Sequence, residues 1–374
     1  MALRGYFILD DQSKGGVITT SFELSVKTES RVVINLDVQK TRRLHERLSK
    51  IDMGFYVVSA DGRSQIMLSE FGFGSAKGIC DLRPGNYFIL PYTTSCVLKD
   101  SDAKSKKNQS KQSKALITSG GKLSNEFEEC IDDIFKMFDL DADHYLSKQE
   151  FANYFKNSED EPSLDDKAWQ LILDRVGARD ERISYTNFKR LFELEIDDAN
   201  DDTEDLYTGL MNLGISKALM MEEACSYTVE IFTEASQNDV KFTTGDELTS
   251  VTGPIREAIV AEAMSEGFMI PCKELEEVGA VAYAYSDDQH AKVVIDYPRQ
   301  TKSRIQVRLD ASESAACLFS SSGSLRNKDG NSAGIRSVAT CTINNNKAVP
   351  ILCAVPNHPD RMAEFVISSI ELIK

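Results

Sequence analysis

The segment FDLDADHYLSKQE sets three aspartates at alternate positions, then a serine and a glutamate, inside an otherwise amphipathic run. Acids spaced this way on a tight loop face one another and repel unless a cation sits between them. Oxygen ligands suit a hard cation such as Ca²⁺. Counted from Asp139 as the first position of a calcium-binding helix–loop–helix, Asp141 and Asp143 stand at positions 3 and 5. Tyr145 then offers its backbone carbonyl at 7, Ser147 falls at 9, and Glu150 closes the loop with both carboxylate oxygens at 12. His144 occupies position 6, where glycine normally takes a positive φ, so the expected site is strained but keeps its acidic ligands. The opposing reading is a vestigial loop held by hydrogen bonds alone.

Such a loop needs a helix on each side. Phe127, Ile131, Ile134, Phe135 and Phe138 recur at helical spacing before it, and Phe151, Tyr154 and Phe155 begin an exit helix. A second unit follows EPSLDD, with Trp169, Ile172 and Val176 entering and Phe188, Leu191 and Phe192 leaving. Aligning Ile183 with Leu146 puts Asn187 where Glu150 stands and leaves the second loop, which opens on Gly177 and Arg179, one residue short. A basic loop without a closing glutamate cannot enclose a divalent cation, so the second hand is expected to be a structural partner only. Residues 121–197 thus read as an EF-hand pair whose aromatic side chains can share a core that needs no metal.

The flanks change period. Up to about residue 120 the chain reads as short strands, among them GYFIL, RVVINLDV, MGFYVV and NYFILPYTT, punctuated by turn signals, which is the pattern of a β-sandwich. Residues 101–114, with Lys104, Lys106, Lys107, Lys111 and Lys114, are expected to form a mobile basic loop. An acidic linker and a short helix over 198–222 lead to a second β-rich region, 223–374, with an inserted helix at 254–266. TESRVVINLD at Thr28 and TKSRIQVRLD at Thr301 share five residues in register, and AVPILCAVP echoes GNYFILPYT, so the sandwich is expected to occur twice. The fold class is therefore a multidomain α+β chain: two sandwiches flanking a helical EF-hand pair.

The chain has 374 residues, 43 Lys and Arg against 59 Asp and Glu, and a net charge of -16, a balance that argues against nucleic acid or anionic bilayers as global partners. Membrane contact is expected to be absent or indirect, and the N-terminus lacks a signal-peptide core, so a cytoplasmic chain is expected. The eight cysteines, without CxxC pairs, read as reduced core thiols. Neither GxxxxGK[ST], HExxH nor GxSxG is present, and His45, His144, His290 and His358 share no local motif with a nucleophile, so no enzyme activity is expected.

RVVINLDV, IDMGFYVV and LRPGNYFILPYTTSC resemble the calpain third-domain sandwich, a C2-like fold. Together with FKMFDLDADHYLSKQEF, the degenerate second hand and LYTGLMNLGISKALMMEEAC, in that order, they resemble the family of EF-hand calcium-binding domain-containing protein seven over nearly the whole chain. That resemblance implies a non-enzymatic adaptor at the cilium base, which tethers the Ellis-van Creveld complex through an IQ-motif partner and promotes Hedgehog signalling. The family's additional N-terminal EF-hands have no counterpart here, which implies a fragment, a short isoform or a shortened homologue. The alternative is a calpain-type regulatory module that docks on phospholipid membranes. An adaptor partner is expected to bind across the EF-hand pair and an adjoining sandwich.

Overall fold

A computed structural model of the chain describes residues 1–10, 16–60, 65–99, 113–159, 164–198, 203–236, 238–250, 253–297, 305–321, 324–326, 337–343, 349–356 and 363–373. Most of the expected basic loop, 100–112, lies outside the described residues. Eight strands open the chain: β1 (Ala2–Asp10), β2 (Gly16–Val26), β3 (Ser30–Val38), β4 (Asp52–Ser59), β5 (Gln65–Leu68), β6 (Gly72–Phe73), β7 (Ser75–Leu82) and β8 (Gly85–Tyr92). In β7 every second residue is buried, as expected when one face packs on a core and the other meets water. One edge of β2 is used twice, by β1 along Gly16–Thr19 and by β8 along Phe22–Val26, so this strand carries the chain from one layer into the other. The layers meet closely at Gly78 of β7, where a Cβ would displace the Met67 methyl and press on the Phe55 ring.

After α1 (Cys96–Lys99) the chain turns helical with α2 (Asn125–Phe138), α3 (Lys148–Glu159), α4 (Asp166–Val176), α5 (Tyr185–Asp198) and α6 (Glu204–Asn212). Ser124 caps α2 by accepting a hydrogen bond from the Phe127 amide at 3.2 Å, and Asp165 caps α4 through Ala168 at 2.7 Å. Gly177, at φ +66°, ends α4 in the left-handed conformation. Two short strands, β9 (Tyr145–Leu146) and β10 (Ile183–Ser184), pair antiparallel with Ile183 opposite Leu146, the alignment read from the sequence. Phe135 packs on Phe188 at 5.7 Å, Phe151 on Trp169 at 5.4 Å and Phe127 on Phe192 at 5.5 Å, which joins both hands in one aromatic core.

The expected boundary at residue 223 needs correction. β11 (Ala224–Thr233) does not start a second sandwich; it inserts between β1 and β3, paired antiparallel to both. β12 (Val240–Thr249) covers the free edge of β2, with a bulge between Thr244 and Glu247. Both belong to the first sheet system, a ten-stranded sheet that folds over on itself. The physical reason is register: the outer edges of β1 and β3 leave one strand position between them, and only the YTVEIF segment fills it.

The second β-rich unit begins after α7 (Gly253–Glu266), which matches the expected inserted helix. β13 (Phe268–Ile270), α8 (Lys273–Glu277), β14 (Val281–Ser286), β15 (Ala291–Asp296), β16 (Ile305–Asp310), β17 (Cys317–Ser321), β18 (Ser324–Arg326), β19 (Val338–Ile343), β20 (Val349–Pro356) and β21 (Ser369–Ile373) follow. They form a five-stranded sheet, β13-β14-β15-β20-β17, and a four-stranded sheet, β18-β19-β16-β21, around a shared apolar core. The neighbours repeat those of the first unit. β20 lies between β15 and β17 as β8 lies between β2 and β4, and β16 lies between β21 and β19 as β3 lies between β11 and β7. β11 therefore corresponds to β21, the strand that completes the unit, and the helical module is inserted just before it.

The two units are joined by a charged contact that sequence reading missed. Lys292 of β15 pairs with Glu262 of α7, both fully buried, and the Tyr56 hydroxyl of β4 donates to Glu262 Oε2 at 2.7 Å. His290, whose amide donates to Asp287 Oδ1 at 2.8 Å in the turn before β15, is buried and stacks on Phe71 at 4.4 Å. His358 lies outside the described residues.

Because β11 is an interior strand of the first unit, a chain ending at residue 222 is expected to be unfolded, whereas one ending at residue 250 keeps the ten-stranded sheet. Circular dichroism and limited proteolysis of the two fragments check this, and a stable 1–222 fragment would sink the assignment.

Candidate metal centre

The first loop is built by the helix ends that flank it. α2 stops at Asp139, whose amide still donates to Phe135 O at 2.9 Å, and the backbone then takes two left-handed residues, Ala142 at φ +59° and His144 at φ +68°. Those kinks turn the chain tightly enough that Asp139, Asp141 and Asp143 present carboxylate oxygens all within 4.8 Å of one another. Asp141 Oδ1 accepts from the Asp143 amide at 3.1 Å and Asp143 Oδ1 from the Tyr145 amide at 2.8 Å, which fixes both side chains over the loop. His144 thus adopts the conformation glycine would take, at the position the sequence flagged.

Glu150 stands at the far end, in the first turn of α3 and buried. Its Oε1 accepts from the Leu140 amide at 2.8 Å, and its Oε2 from the Ser147 amide at 2.8 Å and hydroxyl at 2.7 Å. The Glu150 amide in turn reaches Ser147 Oγ at 3.3 Å, so the pair forms a reciprocal helix cap. The structure brings Ser147 and Glu150 together across the loop mouth but leaves the Glu150 carboxylate out of the three-aspartate cluster. Tyr145 pairs through β9, its side chain exposed, so its backbone is the part that belongs to the loop.

Sequence reading missed two arginines. Arg4, on β1, donates from Nη1 to Asp139 Oδ2 at 3.0 Å, and Arg182, from the second loop, donates to Asp143 Oδ2 at 2.8 Å. No local pattern marks Arg4, which is 135 positions from its partner. Asp139 is fully buried, and its Oδ1 completes no hydrogen bond of normal geometry among the described residues. Burial pushes the Asp139 carboxyl above its usual range and Asp141 and Asp143 add to this, while Arg4 and the His144 amide pull it down. Glu150 is likewise raised, chiefly by burial.

In the second loop Asn187 replaces the closing glutamate. Its Oδ1 accepts from the Ser184 hydroxyl at 2.6 Å and its Nδ2 donates to Val176 O at 3.0 Å, so a neutral amide ties the loop ends by hydrogen bonds alone. α6 lies along α3, where the Asn212 amide donates to Ser158 O at 2.8 Å, and Leu206, Leu210 and Leu213, on and just after α6, line a small cleft together with Ile134, Tyr154 and Phe192. The chain's own helix α6 thus borders this part of the EF-hand pair. Glu159, Glu195 and Asp205 rim this seat.

Cys80 is buried on β7, and burial pushes its thiol up to about 11, in keeping with a reduced core thiol. No helix among the described residues is long and apolar enough to cross a membrane.

No family model matches the chain. It is similar to EF-hand calcium-binding domain-containing protein 7 of Xenopus laevis, 26% identical over 315 residues, which cover 81% of this chain and 48% of the relative. The human protein of that name is 23% identical over 327 residues, 84% of this chain and 50% of its own length, and the mouse protein 26% over 179 residues, 48% of this chain and 28% of its own length. The chain spans about half the length of the first two of these curated relatives. Among solved structures, a variant of 2-hydroxyethylphosphonate dioxygenase covers 98% of this chain and 71% of its own at 9% identity, but with a TM-score of 0.18 it carries no argument.

Burial, then Glu159 and Asp205, raise Glu195 from 4.5 to about 7. The stability from its neutral form is fully present below pH 4.5 and is lost as pH rises through about 7. Glu195→Gln is therefore expected to stabilise the chain at pH 8 by about 1 kcal/mol, allowing for partial exposure, and to change nothing at pH 4.5. Urea denaturation at both pH values measures it; an equal effect at each would remove the titration argument.

Proposed function

We infer, for a chain that belongs to the family of EF-hand calcium-binding domain-containing protein 7, that it is a non-enzymatic calcium-binding protein in which only the first hand takes the ion. One observation carries this reading: the carboxylates of Asp139, Asp141 and Asp143 converge, and the buried Asp139 Oδ1 completes no hydrogen bond of normal geometry among the described residues, inside a loop already kinked at position 6. The residues present fit a hard cation, since all offer oxygen and none sulfur or nitrogen. Asp139, Asp141, Asp143, Ser147, Glu150 and the Tyr145 carbonyl would hold it. Bound calcium would neutralise the acid cluster. The chain's own part is to fix the aspartates by turn hydrogen bonds and to hold Glu150 ready at the loop mouth.

On the sequence resemblance alone we extend this to an adaptor at the cilium base that associates with an IQ-motif protein and the Ellis-van Creveld complex in Hedgehog signalling. The calpain-like, C2-like character of the sandwiches belongs to the same proposal; the recurrence of strand neighbours in the two units is what supports it. Affinity purification from ciliated cells followed by mass spectrometry tests the partner reading, and recovery of neither partner class would end it.

Isothermal titration with Ca²⁺ is expected to show a single site. Glu150→Gln should weaken it by about tenfold or more, whereas Asn187→Ala in the second loop should leave the affinity unchanged. Two sites, or full affinity in Glu150→Gln, would sink the assignment.

A second expectation concerns folding. The aromatic core and the Arg4–Asp139 ion pair stabilise the EF-hand pair without metal, with buried aromatics contributing ~1.5–3 kcal/mol each. Chelation should leave the helical circular dichroism signal in place, and its loss would show a metal-dependent fold.

A further inference from the structure

The first ligand of the calcium loop is also a joint between domains. Arg4 holds Asp139 through its side chain, at 3.0 Å to Oδ2 and 3.4 Å to the backbone carbonyl, and its own amide donates to Leu140 O at 2.7 Å. Its place is set by the sheet, because Arg4 lies opposite Thr228 in the β1–β11 register. Two residues on, the Tyr6 ring packs at a tilt against Phe138, 4.9 Å between centroids, and its hydroxyl donates to Glu247 Oε2 at 2.7 Å. Glu247 in turn accepts from Lys156 and Asn157 of α3, each at 2.6 Å. The helical module is thus seated on the first sandwich along β1, and the seat ends at the buried carboxylate that the ion would need.

We propose that Arg4 is a tethered cation that shares Asp139 with calcium, so that filling the first loop and seating the EF-hand pair on the first sandwich oppose one another. This rests on the calcium reading given above. A guanidinium bonded to Oδ2 leaves its charge a few ångströms from any ion on Oδ1, and like charges at that distance in a half-buried site repel strongly. Only a quarter or less of the Arg4 side chain meets solvent, against 54% for Arg182, so water screens the second arginine and not the first. By linkage, whatever affinity Arg4 withholds from calcium, calcium withholds from the seat.

The test uses the full chain. Calcium titrations of wild type, Arg4→Gln, Arg4→Lys and Arg182→Gln are paired with hydrogen exchange in calcium and in chelator. Arg4→Gln is expected to bind calcium about tenfold tighter, Arg4→Lys within about twofold of wild type, and Arg182→Gln within about threefold. In wild type, calcium should speed exchange over residues 2–8 and 139–140, and in Arg4→Gln that difference should vanish. Equal affinities overturn the proposal, and weaker binding in Arg4→Gln makes Arg4 an orienting partner of Asp139 instead. If Arg4→Gln does not fold, wild type and Arg4→Lys decide: calcium binding with no change in exchange along β1 overturns it. Absence of calcium binding in wild type removes the calcium reading itself, and this proposal with it.

Discussion

β11 hydrogen-bonds to β1 on one edge and to β3 on the other, although the chain delivers it only after the whole helical module. That pairing dictates where the module can go. The chain must leave the first sheet after β8 and return so that Ala224 meets Ile8, and α2 is consequently held against β1, the strand β11 locks in register. The same closure places Arg4 under Asp139 and Tyr6 under Phe138. Without β11, β1 would be held by only four residue pairs to β2, too little to carry a domain interface.

Electrostatics then decides what the joint can do. A buried carboxylate needs a cation or a proton, and Asp139 has a cation on one oxygen and, among the described residues, no hydrogen bond of normal geometry on the other. Arg182 plays the corresponding part for Asp143, but at the surface, where an ion pair contributes little. The loop therefore keeps its acidic cluster together by splitting the work between a sandwich residue and the second hand. The degenerate second loop supplies a cation because it no longer needs to attract one.

Much of this was legible in the sequence because its cause is local. Alternating aspartates, the helical stripes, the β9–β10 register and the left-handed residue at His144 follow from spacing within about a dozen residues. The repeat was legible too, since β3 and β16 keep similar residues in equivalent places. What escaped is non-local. Nothing near YTVEIF says which of the two β-rich units its hydrogen bonds will join, and nothing near Arg4 names a partner on a helix end far along the chain. Lys292 and Glu262 look like surface charges by type, and only the packing of α7 and β15 against Tyr56 buries them.

The two hands differ in how they close, and this bears on how much calcium can move. Asn187 ties the second loop with a neutral amide, so α4 and α5 hold their angle whatever the ion concentration. Glu150 ties the first through hydrogen bonds to Leu140 and Ser147, which a cation would have to replace, so only α2 and α3 have reason to shift. Yet α3 is pinned at its far end by Glu247, and α6 is tied to the same end through Asn212 and Ser158. A pair restrained at both ends of one helix, and capped by its own helix, cannot swing open as a sensor does when both loops fill. The movement left to it is at the contact with β1, where the loop meets Arg4, and there the strand register turns a small shift of Asp139 into a change in how firmly the helical module sits on the sandwich.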